Sequence, residues 1–146
     1  MYPLGHMALG YFAGKLVTNY TKRDSNLILL FIMSILPDVD MILPNVIHRG
    51  LTHSTVLTII FAVPLLLYNK ETLPYLAALL THSLVGDYFT SYGCKLLWPL
   101  SNNFIVYRRA WPVGSTLGIV VELVLFTTML MMISFPIIQA RKQLKI

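Results

Sequence analysis

The sequence is poor in charged residues and has almost no cysteine. Asp, Glu, Lys and Arg together make up 12% of the 146 residues, whereas 56% are hydrophobic. Such a composition lies well outside the range of soluble domains and predicts an integral membrane protein. Cys94 is the only cysteine, which excludes an internal disulfide and a site built from several thiolates.

Two further features are missing. No cationic segment precedes an apolar run at the N-terminus, so no cleaved secretory signal is predicted and we expect the N-terminus to be retained. The net charge of +5 is spread along the chain and does not form a basic stripe, which argues against a nucleic-acid partner. The expected partner is the lipid bilayer.

Apolar stretches of nearly the length that a bilayer requires predict an all-α transmembrane bundle of about five spans. Residues 1–146 would form one integral membrane domain. A long interfacial loop, Phe89 to Val113, carries aromatic residues that suit the membrane interface and precedes the last span. The five predicted spans are Leu4 to Tyr20, Asn26 to Leu43, Ser54 to Tyr68, Leu73 to Tyr88 and Ser115 to Ile138.

The basic residues predict how these spans are oriented, because cytoplasmic loops carry more Lys and Arg. One side of the membrane would hold Lys22, Arg23, Lys70, Arg141, Lys142 and Lys145, and the other would hold Arg49, Lys95, Arg108 and Arg109. The bias predicts a multi-pass protein of the cell membrane with the N-terminus outside and the C-terminus in the cytoplasm.

The same arrangement brings every histidine and most acidic residues to one membrane face. Burying such groups in or beside lipid costs several kcal/mol each unless they pair or bind an ion. Some of them interrupt apolar runs, as functional groups usually do in membrane proteins. The residues concerned are His6, Asp38, Asp40, His48, His53, His82, Asp87 and Glu122.

Imidazole nitrogens and carboxylate oxygens are ligands of zinc and related divalent ions. The set predicts one or two ions, Zn²⁺ or alternatively Mn²⁺, or one ion with a general base and outer partners. Simpler roles remain open: Asp38 and Asp40 follow Pro37 as turn or cap residues do, and His48 and His53 lie beside a Ser or Thr that caps the next helix. Arg49, Arg108 and Arg109 could bind phosphate or contact lipid headgroups.

The motifs in these segments also resemble a known family. GHMALGYFAG, PDVD, HRGLTHS and THSLVGDYFTSYGCKLLWPLS are similar to the YdjM-like membrane-bound metal-dependent hydrolases, which are distantly similar to zinc-dependent phospholipase C. The resemblance implies that Glu122 matches an acidic position in the last span. It further implies metal-site roles for His6, Asp38, Asp40, His48, His53, His82 and Asp87.

One spacing departs from the pattern that the resemblance implies. The family pair is expected as His-x-x-x-Asp on one helical face, but His82 and Asp87 are five positions apart. On a regular α-helix five steps separate two side chains by about 140°. A π-bulge near Gly86, or a helix that ends before Asp87, would bring the two side chains together.

The resulting expectation is a metal-dependent hydrolase at the extracytoplasmic membrane face. Its ion would activate water for attack on a phosphoester, such as a lipid headgroup or another amphiphilic or phosphorylated small molecule. Asp40 or Glu122 would be a second ligand or the general base, and Arg49 could contact the substrate. The alternatives are a structural metal site and a small ion or proton transporter, although beyond Lys15 few charges could form a path across the membrane. The phosphate-binding pattern of PAP2-type phosphatases is absent.

Overall fold

The computed structural model describes residues 1–143. Its regular elements are the helices α1 Pro3–Thr21, α2 Leu27–Ile35, α3 Thr55–Tyr68, α4 Leu73–Thr81 and α5 Thr116–Gln143. A 3₁₀ segment, Leu36–Ile42, continues α2, and a π-helix, His82–Asp87, continues α4. Lys145, one of the basic residues used to predict the orientation, lies outside the described residues.

The helices begin where the sequence offers caps. The Asn26 side chain accepts a hydrogen bond of 3.1 Å from Leu29 N at the start of α2, and Ser54 Oγ accepts one of 3.2 Å from Leu57 N at the start of α3. Both bonds satisfy amides that have no partner within the helix. The prediction that a Ser or Thr beside His53 caps the next helix is therefore confirmed.

Helix α1 lies at the centre of the fold and packs against α4, α2 and α5. Its small residues allow the neighbouring helices to approach closely. A methyl group on Gly10 would clash with Ser34 of α2 and lie 3.4 Å from the Cβ of Ala78 in α4. On the side facing α5, Ala8 and Tyr11 pack against Met129.

The prediction of five membrane-spanning helices is wrong. Among the described residues only one stretch, the 24 residues Thr116–Gln139 of α5, is long and apolar enough to cross a membrane. Helices α2 and α4 have nine residues each and are therefore about 13 Å long, whereas the hydrocarbon core is about 30 Å thick. Helix α3 is apolar but has 14 residues.

Local geometry explains why the apolar runs do not form longer helices. At Pro37 the second run tightens into the 3₁₀ segment, because proline cannot continue the hydrogen-bond pattern of an α-helix. The 19 residues of α1 are long enough, but His6 and Lys15 lower its hydropathy. The multi-pass assignment depended on the five spans and is therefore not supported. The orientation of α5 stays a prediction.

The prediction that Phe89 to Val113 does not form a span is confirmed, since this segment contains no helix. Backbone hydrogen bonds fold it: Cys94 and Ile105 exchange two bonds of 3.1 and 2.9 Å, and Lys95 N donates to Arg49 O at 2.9 Å. The segment is therefore tied to the chain that enters α3, and it helps to fix Arg49.

We predict that Gly10→Ala destabilises the protein even though alanine is the better helix former. Overpacking costs about 1–3 kcal/mol, which exceeds the gain in helix propensity of about 1 kcal/mol. Thermal unfolding in detergent should show a lower midpoint. Gly118→Ala is the control, because a methyl group there has no contact closer than 3.3 Å; equal midpoints for both variants would contradict the packing argument.

Candidate metal centre

Four side chains from separate parts of the chain meet at the end of α2 and α4. Asp38 lies on the 3₁₀ segment, His53 ends the short turn Leu51–His53, and His82 and Asp87 are the first and last residues of the π-helix. Because a π-helix bonds residues five apart, it brings His82 and Asp87 to the same side. Of the two local geometries proposed from the sequence, the structure contains the first.

The donor atoms of these four residues are spaced as in a tetrahedral metal site. His53 Nε2 lies 3.1 Å from His82 Nε2, 3.4 Å from Asp38 Oδ1 and 3.1 Å from Asp87 Oδ2. His82 Nε2 lies 3.4 Å from Asp38 Oδ1 and 3.5 Å from Asp87 Oδ2. Ligands bound at 2.0–2.1 Å around a tetrahedral ion are about 3.3 Å apart. The four residues, called here the tetrahedral group, could hold a metal ion.

The outer nitrogen of each histidine faces hydrogen-bond acceptors. His82 Nδ1 lies 2.7 Å from the carbonyl oxygen of Ser34, which can only accept, so Nδ1 carries the proton. His53 Nδ1 lies 3.3 Å from Asp40 Oδ2 and 3.1 Å from Thr52 Oγ1. In their neutral form both rings therefore present an unprotonated Nε2 to the centre, as metal-binding histidines do. A proton or a metal ion between the two Nε2 atoms would relieve the repulsion of these lone pairs at 3.1 Å.

The charges of the group favour such a cation. Burial lowers the pKa of His53, but its contacts with Asp38 and Asp87 outweigh burial, and the pKa ends above its ordinary value. Burial also lowers the pKa of His82, but its contacts with the same two carboxylates outweigh burial and raise this pKa to about 9. Asp87 Oδ2 is buried and accepts no hydrogen bond. The two carboxylates thus stabilise positive charge beside the two rings, whether it is carried by protons or by a metal ion.

Asp40 and His48 form a second group of possible donors with His53. His48 Nδ1 donates to Asp40 Oδ1 at 2.8 Å, while Arg49 N and Thr52 Oγ1 donate to Asp40 Oδ2 at 3.0 and 2.7 Å. The pKa of Asp40 is raised by burial but lowered more by the bonds from Thr52 and His48, and it ends below its ordinary value. Asp40 is thus a buried, ionised and fully hydrogen-bonded carboxylate.

Arg49 lies between the two groups. Its backbone is left-handed, with φ of 62°, which costs about 1–2 kcal/mol in a residue other than glycine. This conformation lets its amide reach Asp40 while its guanidinium reaches the tetrahedral group: Nη2 lies 2.9 Å from Asp87 Oδ1, and Nη1 donates to Thr90 Oγ1 at 3.0 Å. Arg49 therefore neutralises the outer oxygen of Asp87.

His6 lies beside the tetrahedral group without belonging to it. Its ring stacks on His82 with centroids 3.7 Å apart, and its Nε2 lies 3.6 Å from Asp87 Oδ1. Burial and the neighbouring His82 hold the pKa of His6 well below its ordinary value, so the ring is neutral, and neither of its nitrogens has a hydrogen-bond partner. Gly86 makes room for the ring, because a Cβ there would clash with it.

The remaining predicted site residues lie elsewhere. Glu122 Oε1 accepts a hydrogen bond of 2.9 Å from Tyr2 N at the start of α1, so it caps α1, and it belongs to neither donor group. Arg108 and Arg109 are exposed in the segment before α5. The structure therefore brings together His6, Asp38, Asp40, His48, Arg49, His53, His82 and Asp87, while their chemical roles stay predictions.

Two partners in the site were not predicted from the sequence. Thr90 is fully buried and holds Arg49, and the carbonyl group of Ser34 holds His82. Thr90 follows Asp87 closely in a segment that reads as a loop. A carbonyl group carries no sequence signal at all, so only the packing of α2 against α4 could identify Ser34.

Helix α5 is long and apolar enough to cross a membrane, and the buried His/Asp cluster could hold a metal ion. The family described as YdjM inner membrane protein matches residues 1–145. The chain belongs to this family and is an inner membrane protein. No curated protein and no solved structure matches it.

We predict that Cys94 reacts very slowly with N-ethylmaleimide in the folded protein. Burial, followed by the charge of Asp87, raises the pKa of this thiol to about 12, and the thiolate is the reactive form. Alkylation at pH 8 should be slower by about a hundredfold or more than in the unfolded chain. Asn102→Cys combined with Cys94→Ser is the exposed control, and rapid labelling of Cys94 would contradict the described packing.

Proposed function

We propose that the tetrahedral group binds one divalent metal ion, Zn²⁺ in preference to Mn²⁺, and that the protein hydrolyses a phosphoester of an amphiphilic substrate. The observation that carries the metal is the set of distances of 3.1 to 3.5 Å that join two imidazole Nε2 atoms to each other and to two carboxylate oxygens. Nitrogen and oxygen donors in a tetrahedral arrangement favour zinc.

One ion fits better than two, because the oxygens of Asp40 and the outer oxygen of Asp87 already have partners. Both oxygens of Asp40 accept hydrogen bonds, and Asp87 Oδ1 is paired with Arg49. A second cation would have to displace these donors. His6 remains available as an additional neutral nitrogen next to the same ion.

A cavity of about 480 Å³ opens on the exposed side of the tetrahedral group. Its polar lining includes Asp38, whose side chain is 21% exposed, together with His48 and Arg49. The rest of the lining is largely apolar and aromatic and includes Met41, Tyr92 and Phe104 among other residues. A largely apolar lining with a few polar groups suits a phosphorylated headgroup that is attached to an apolar part.

The proposed reaction exchanges one P–O bond for another. The oxygen of a water molecule bonds to phosphorus, the bond to the alcohol oxygen breaks, and one proton of the water ends on that alcohol. The ion would make water a better nucleophile and withdraw charge from the phosphoryl oxygens. Arg49 pairs with Asp87 and adds positive charge beside the cavity, and the side chain of His48 is half-exposed at the cavity.

The membrane provides the setting for this reaction. Family membership and the apolar α5 support an enzyme that is anchored in the bilayer and meets amphiphiles there. We keep the prediction that the C-terminal end of α5 lies in the cytoplasm, which would place the site on the extracytoplasmic side. A reporter fused after α5 that is active only in the periplasm would contradict this orientation.

A structural metal site is the second candidate, and one observation favours it. The protein itself fills all four corners of the tetrahedron, whereas catalytic zinc sites usually keep one position for water or substrate. The ion would then connect the 3₁₀ segment, the Leu51–His53 turn and the π-helix. The exposure of Asp38 to the cavity favours the catalytic role.

We predict that detergent-purified protein contains about one equivalent of divalent metal. His53→Ala and Asp38→Ala should each lose most of it, because each variant removes one corner of the tetrahedron. Elemental analysis after dialysis measures the content. His48→Ala is the matched histidine control, since its ring lies outside the tetrahedral group, and it should retain metal. Metal-free wild-type protein that gains no stability from added zinc or manganese would contradict the proposal.

A second prediction separates the catalytic from the structural role. In cobalt-loaded protein, inorganic phosphate should change the visible spectrum in a saturable way, because the cavity gives it access to the ion. Met41→Trp, which would fill the cavity, should weaken this response without releasing cobalt. Leu100→Trp, at a site 79% exposed and outside the cavity, is the control. A wild-type spectrum that does not respond to phosphate would favour the structural site.

A further inference from the structure

Asp40 is placed to orient His53. Among the described residues it is one of three carboxylates near the two donor groups, but its surroundings differ from those of Asp38 and Asp87. It is 2% exposed, and three hydrogen-bond donors from the Asp40 to Thr52 segment already point at its two oxygens. These bonds hold the carboxylate at a fixed orientation.

The contacts around Thr52 show where the proton of His53 must lie. Thr52 Oγ1 donates its proton to Asp40 Oδ2 at 2.7 Å, so its oxygen can only accept from His53 Nδ1 at 3.1 Å. Asp40 Oδ2 itself lies 3.3 Å from the same Nδ1 and also accepts only. Two acceptors on one side of the ring require a proton on Nδ1 and leave Nε2 free.

We propose that Asp40 is a positioning residue, which acts through Thr52 and His53 and is neither a metal ligand nor the general base. Together with Thr52 it fixes the tautomer and the ring plane of His53, so that Nε2 points at Asp38, His82 and Asp87. The inference rests on the proposed metal centre. It means that the second group, Asp40, His48 and His53, does not bind another ion but holds His53 in place for the first.

The proposal differs from the roles of ligand or general base that the sequence suggests for Asp40. A ligand needs a free lone pair directed at the ion, and a general base needs one directed at water. The oxygens of Asp40 instead accept hydrogen bonds from His48, Arg49 and Thr52. The imidazole of His53 lies between this carboxylate and the other three residues of the tetrahedral group. Carboxylates in such outer positions typically alter metal affinity by about 10–100-fold.

The test compares Asp40→Asn with Asp38→Asn in cobalt titrations of detergent-purified protein, followed by visible absorption. An asparagine removes the negative charge beside His53 Nδ1 and so weakens the preference for a proton on that nitrogen. Asp40→Asn should bind one cobalt with the same tetrahedral spectrum but about 10–100-fold more weakly, whereas Asp38→Asn should change the spectrum. Thr52→Val should weaken binding in the same way, and its far-UV circular dichroism shows whether the fold is retained.

Nitrogen NMR of ¹⁵N-histidine-labelled, metal-free protein gives a second measurement that a purely structural role would not change. At a pH where the ring of His53 is neutral, the wild type should show the proton on Nδ1, and Asp40→Asn should shift it toward Nε2. An altered cobalt spectrum in Asp40→Asn would make Asp40 a ligand and overturn the proposal, as would unchanged affinity together with an unchanged tautomer. If wild-type protein binds no cobalt, the metal centre fails, while the NMR comparison still decides whether Asp40 orients His53.

Discussion

Two carboxylates facing two imidazole rings in a buried site are the constraint on which the structure depends. Asp38 and Asp87 stay ionised only if positive charge lies close by, because an unpaired charge in a low-dielectric interior is strongly destabilising. His53, His82 and Arg49 supply or attract that charge. The contacts join residues far apart in the chain, so the same electrostatic requirement that creates a cation site also holds the turns between the helices together.

Ser34 contributes both to the packing of the helices and to the candidate metal centre. Its side chain fills the space that Gly10 leaves between α1 and α2, and its carbonyl group holds His82 at 2.7 Å. The close approach of the helices therefore sets the angle of a ring in the tetrahedral group. The π-helix makes a similar link, because Gly86 leaves room for His6 while His82 and Asp87 face the centre.

The chemistry of the site could be predicted from the sequence far better than the membrane topology. His53, His82 and Asp38 stand out because polar residues that interrupt apolar sequence must be compensated. The lengths of the helices could not be predicted, because an apolar run does not show that Pro37 tightens the end of α2 into a 3₁₀ segment. The role of Glu122 could not be predicted either. This acidic residue in an apolar helix caps α1, and such a role depends on tertiary packing, which the sequence does not show.

The π-helix at the end of α4 has a consequence for comparing members of this family. It contains one more residue than an α-helical path with the same end points, so it absorbs a one-residue insertion without moving either His82 or Asp87. Sequences in which the two residues are four or five positions apart can thus build the same pair. An alignment without a gap in this helix would match Asp87 to the wrong column and hide a carboxylate that the folded chain places beside His82.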